Sequence, residues 1–67
     1  MYELSVSWAN GYSRSHSVKG KSFGEGQQNA YKLMRAYLET SSSAPVEAII
    51  TNDQGQQYFV MIDGKLI

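Results

Sequence analysis

The chain has 67 residues, with six Lys or Arg against six Asp or Glu, one histidine and no cysteine. That length holds one domain at most, which buries only ~60% of the surface its unfolded form exposes, so oligomerisation is an expected source of extra stability. The lack of cysteine excludes a disulfide scaffold, a thiolate zinc site and a cysteine nucleophile, and zero net charge gives no overall pull toward nucleic acid or anionic lipid.

Residues 2–9 alternate, with Tyr2, Leu4, Val6 and Trp8 on one face and Glu3, Ser5, Ser7 and Ala9 on the other. This is the period of a half-buried strand. Asn10-Gly11 follows, a pair that tolerates positive φ and marks a hairpin. The second strand runs from Tyr12 to Val18 or Lys19, so the first hairpin spans 2–19. Two registers are open. A two-residue loop pairs Ala9 with Tyr12, which puts Ser13, Ser15 and Ser17 on the Trp8 face and Tyr12, Arg14, His16 and Val18 on the other. A three-residue loop with Gly11 left-handed pairs Trp8 with Tyr12 and carries Arg14 and His16 to the core face. An unpaired charge is costly there, so the two-residue loop is expected.

Ser22-Phe23-Gly24-Glu25 matches a capping box, with Ser at the N-cap and Glu three residues on. The helix is expected over about 23–40. Gly24 and Gly26 weaken its start by roughly 1 kcal/mol each relative to Ala, and read as a flexible first turn. Phe23, Gln27, Ala30, Tyr31, Leu33, Met34, Tyr37 and Leu38 form a broad stripe at helical spacing. Glu25, Gln28, Lys32, Arg35 and Glu39 occupy the solvated side. A serine run and Pro45 make 41–45 a connector, since Pro45 disfavours helical backbone at Ala44. Val46 to Thr51 reads as a strand, Asn52-Asp53-Gln54-Gly55 as a turn, and Gln57 to Ile62 as the strand completing a second hairpin, 46–62. Asp63-Gly64 turns the chain into a short terminal strand, 65–67. The expected fold is α+β: a single domain, 1–67, of ββαββ layout. Its antiparallel sheet has four strands, or five with the terminal one, and one amphipathic helix packs on one face.

Tyr58-Phe59-Val60-Met61-Ile62 is apolar at every position, as in a strand buried on both faces, yet there is one helix to cover the sheet. The face left over carries either Phe59 and Met61 or Tyr58, Val60 and Ile62, and the predicted protein interface, for a second copy or a foreign partner, is Tyr58, Phe59, Val60 and Met61. Trp8, Phe23 and Tyr37 read as core. In the first hairpin, Arg14, Lys19 and Lys21 put three of the six positive charges within eight residues, beside His16. With Tyr12 they give a basic, aromatic surface and a second reading, contact with single-stranded nucleic acid.

No catalytic set is visible. His16 has no second His or Cys with which to hold a metal, and no Gly-x-Ser-x-Gly elbow occurs. Ser15 and Ser17 point away from His16 on a strand, and Gly24-x-Gly26 lacks the Lys of a phosphate loop. No cofactor, metal or catalytic residue is expected. The first residues lack the basic and apolar regions of a signal peptide, and the longest apolar run, Tyr58 to Ile62, is far short of the ~20 residues of a membrane helix. A cytoplasmic protein without membrane contact is expected. In layout alone, the chain resembles the small regulators and inhibitors that phages and mobile elements encode. The reading is a non-enzymatic, homodimeric protein-binding module that acts by occupying a partner surface.

Overall fold

The chain opens as a β-hairpin. In a computed structural model that describes residues 1–40 and 43–67, β1 (Tyr2–Ser7) pairs antiparallel with β2 (Ser13–Val18). The helix α1 (Phe23–Thr40) follows, then β3 (Glu47–Thr51), β4 (Gln57–Ile62) and a short β5 (Lys65–Leu66). The five strands form one antiparallel sheet in the order β2-β1-β3-β4-β5, with the helix on one face. The α+β class, the layout and the fifth strand are as the sequence predicts. Residues 41 and 42 of the expected connector lie outside the described residues.

The register of the first hairpin corrects the sequence reading. Trp8 N–H donates to Tyr12 O at 2.8 Å and Gly11 N–H to Trp8 O at 3.0 Å, so the loop has three residues, with Gly11 at φ +89°. Asn10 Oδ1 accepts from Tyr12 N–H at 3.0 Å, which ties the loop to its own backbone. Tyr2 then faces Val18, Leu4 faces His16 and Val6 faces Arg14. Arg14, His16 and Val18 therefore share the helix-covered face, and the serines take the other. The cost expected for the charge is avoided because β2 is an edge strand. Arg14 sits exposed at the rim while Val18 reaches the core.

The core consists of Leu4, Val6, Val18, Ala30, Met34, Ala48, Ile50, Val60 and Met61. The helix contributes Gly26, Ala30 and Met34, spaced by four, so one narrow stripe is fully buried while Tyr31, Leu33 and Tyr37 are half-buried beside it. Leu38, expected in the stripe, is exposed. Between β3 and β4 the register shifts at Ala48/Ile49. Ile49 faces Phe59 and Ala48 faces Met61, which leaves Val60 as an extra bulged residue. Asp63 and Gly64, at φ +53° and +78°, close β4 to β5 in a two-residue primed turn.

The helix start is held by packing. Ser22 Oγ accepts from Glu25 N–H at 3.3 Å, the capping half of the predicted box. A Cβ on Gly26 would lie 2.6 Å from Tyr2 Cδ2, and one on Gly20 would lie 2.5 Å from Gly26 N. The chain before the helix, the first turn and the Tyr2 ring thus stack without room for side chains. Gly24 has only Ser22 Oγ nearby, at 3.9 Å. Gly20→Ala should therefore destabilise the fold by about 1–3 kcal/mol, because the clash is with backbone that cannot move aside. Gly24→Ala should stabilise it by about 0.5 kcal/mol through reduced backbone entropy of the unfolded chain. Denaturant unfolding of the two variants checks both signs, and equal effects would contradict this packing.

Candidate functional site

Two surfaces are built from the residues that the sequence singles out. The first is the sheet face that the helix does not cover. Across β2, β1, β3 and β4 one row reads Ser15, Ser5, Ile49, Phe59, and its neighbour reads Ser17, Glu3, Thr51, Gln57. Ile62, beyond the bulge, returns to the Phe59 side. The face is thus polar and small over β1 and β2, and apolar over β3 and β4. Phe59 is 48% exposed and Ile62 43%, with Ile49 half-buried between the strands.

This changes the predicted interface set of Tyr58, Phe59, Val60 and Met61. Val60 and Met61 are buried in the core, so they present no side chain to a partner. Tyr58 is exposed but lies on the helix side, its ring 5.2 Å from that of Phe23. Phe59 alone of the four lies on the open face. Strict alternation along β4 groups Phe59 with Met61 and Tyr58 with Ile62. The bulge at Val60 regroups them, which brings Ile62 to Phe59. No signal in one strand's sequence gives that bulge. Ile49 was legible as a strand residue, but its face follows only from its partner, Ser5.

The second surface lies where the hairpin meets the end of the helix. The Trp8 ring contacts Tyr12 at 5.3 Å and Tyr37 at 5.5 Å, and its Nε1–H donates to Ser43 O at 2.9 Å. The His16 ring meets Tyr37 at 5.7 Å, and His16 Nε2 and Tyr37 Oη share a hydrogen bond of 2.7 Å. Tyr12 is 58% exposed, and Arg14 stands between Tyr12 and His16 along the same strand face. Lys19 and Lys21 lie past the far end of β2, where Lys19 O accepts from Asn29 Nδ2–H at 2.7 Å. The five residues Tyr12, Arg14, His16, Lys19 and Lys21 therefore do not form one patch. Three line the helix-side rim of β2, and two follow it.

Burial, and secondarily the charge of Arg14, lowers the His16 pKa below 6.5, because both disfavour the imidazolium. Among the described residues there is no ligand-sized cavity and no group of three His, Asp or Glu that could hold a metal. No helix among them is long and apolar enough to cross a membrane. No protein family, curated protein or solved structure matches the chain.

The His16–Tyr37 pair gives a prediction with a definite sign. As pH falls below 6.5, the unfolded chain takes up the proton on His16 before the folded chain does. Stability from neutral His16 is thus fully present above pH 6.5, declines below it, and is lost beneath the depressed folded value. His16→Gln should flatten this part of the stability profile. Tyr37→Phe should cost about 1 kcal/mol near neutrality through loss of the hydrogen bond. Urea midpoints measured between mildly acidic and neutral pH test both, and an unchanged slope in His16→Gln would contradict the assignment.

Proposed function

We propose that this chain is a non-enzymatic protein-binding module of inhibitor or regulator type, which works in the cytoplasm by occupying a partner surface and pairs with a second copy across its open sheet face. One observation carries the reading: Phe59 and Ile62, each roughly half exposed, adjoin Ile49 on the sheet face that lacks a helix. Burying the half of each side chain that remains exposed contributes about 0.7–1.5 kcal/mol, and a two-fold dimer counts every contact twice. Serines on β1 and β2 are small enough to let two sheets approach at ~10 Å. Glu47, Thr51 and Gln57 supply the polar border that bound surfaces usually have.

A second reading, contact with single-stranded nucleic acid, is favoured by one feature, the exposed Tyr12 ring leaning on Trp8 beside Arg14. It ranks lower because His16 is turned to Tyr37 and the lysines are set apart. Its mark is an affinity that falls steeply with salt.

Sedimentation equilibrium of the chain and of Phe59→Glu tests the main reading. The expected result is a dimer mass for the unaltered chain and a monomer mass for the variant, with its circular dichroism retained because Phe59 is not a core residue. A monomer at every concentration, or a variant with unchanged mass, would count against it.

A further inference from the structure

The two edges of the sheet differ. The far edge is broken between β5, which is two residues long and pairs with Met61 and Ile62, and the start of β4, whereas β2 offers six residues in unbroken register. Ser7 O accepts from Val46 N–H on the β3 side, and Trp8 N–H donates to Tyr12 O on the β2 side. Because antiparallel pairs alternate, Arg14, His16 and Val18 spend their main-chain groups on β1, and the peptide N–H and C=O groups of Ser13, Ser15 and Ser17 point away from the sheet. Natural edges are blunted by shortness, proline, bulges or a row of charges. Here there is no proline and no bulge, the outward peptides belong to small serines, and the strand's one formal charge is Arg14.

From this we infer that β2 is a docking edge that takes an extended, acidic segment of a foreign protein as a sixth, antiparallel strand. Main-chain pairing needs no cavity, and affinity comes from the peptide groups while flanking side chains give selectivity. The selectivity is electrostatic. Glu3 faces Ser17 across the ladder, and between Glu3 and Glu25 the chain carries Arg14, Lys19 and Lys21 with no Asp or Glu. An acidic strand sets a carboxylate beside Arg14, the one cation on β2, and runs toward Lys19 and Lys21 past the strand's end. A second copy of this chain would bring the same cations to the same edge, and like charges facing each other are unfavourable. The inference rests on the protein-binding reading but uses a different surface from the open face.

The test is a titration of the 15N-labelled 67-residue chain with a capped octapeptide alternating Thr and Glu, and with its Thr–Lys counterpart. The Glu peptide should shift the amide signals of Ser13, Ser15 and Ser17 most, with the Lys peptide at least about tenfold weaker. Ser15→Pro removes one outward N–H without touching the β1 ladder, and should weaken the Glu peptide at least about tenfold. Arg14→Glu, which needs no backbone change, should narrow or reverse the preference between the two peptides. Silence of β2 at millimolar Glu peptide, equal binding of both peptides, or full binding by folded Ser15→Pro would overturn the inference. So would β2 signals that move on dilution of Phe59→Glu alone, which mark a second copy at this edge. A thymidine oligonucleotide that shifts this edge while the Glu peptide does not would assign it to nucleic acid instead. Phe59→Glu should bind the Glu peptide normally, so failure of the open-face reading and failure of this one are separable.

Discussion

One helix has to cover five strands, and that mismatch governs the rest of the molecule. A helix presents a single stripe, and here Gly26, Ala30 and Met34 are its fully buried part, set over Leu4, Val6, Ala48 and Ile50. To seat the helix closely, the chain gives up side chains at Gly26, which lies against the Tyr2 ring, and at Gly20, which lies against the backbone of Gly26 and Ser22. What the helix cannot reach is the other face. The sequence of β1 and β2 makes that face polar with five serines, while Ile49, Phe59 and Ile62 keep it apolar farther along.

Much of this was legible in the residues. Alternation in β1, the Ser22 cap, the helical stripe and the Asp63-Gly64 turn each have a local physical cause, and each element lies where that cause puts it. The register of the first hairpin was not local. Asn10-Gly11 suits a two-residue loop or a three-residue one, and the penalty for Arg14 and His16 on the core face decided between them only under the assumption that the face is dry there. At an edge strand it is not: Arg14 reaches solvent and His16 finds the Tyr37 hydroxyl. A sequence read element by element cannot say which strand is the edge. The bulge at Val60 is of the same kind. It moved Met61 and Val60 into the core and brought Ile62 to Phe59, so the predicted interface kept its location on β4 but exchanged most of its residues.

The three-residue loop also sets the character of the free edge. Because Trp8 and Tyr12 are hydrogen-bonded, the peptide groups of Ser13, Ser15 and Ser17 lie on that edge, while Arg14 stands on the helix side and Lys19 and Lys21 follow the strand, so the edge is regular, lightly shielded and basic. The aromatic group around Trp8 then has a structural role, locking the hairpin to the end of the helix through Tyr37 and to Ser43 through the indole N–H. Only Tyr12 leaves that group for solvent.

Under the proposed function, the uncovered sheet face takes a second copy of the chain. The most direct check is a mixed sample of isotope-labelled and unlabelled chain, with nuclear Overhauser contacts filtered for those between copies. Cross-peaks joining the Phe59 ring to the methyl groups of Ile49 and Ile62 are predicted. A filtered spectrum that is empty at these residues, or whose contacts lie around Leu38 on the outer helix, would contradict pairing through this face.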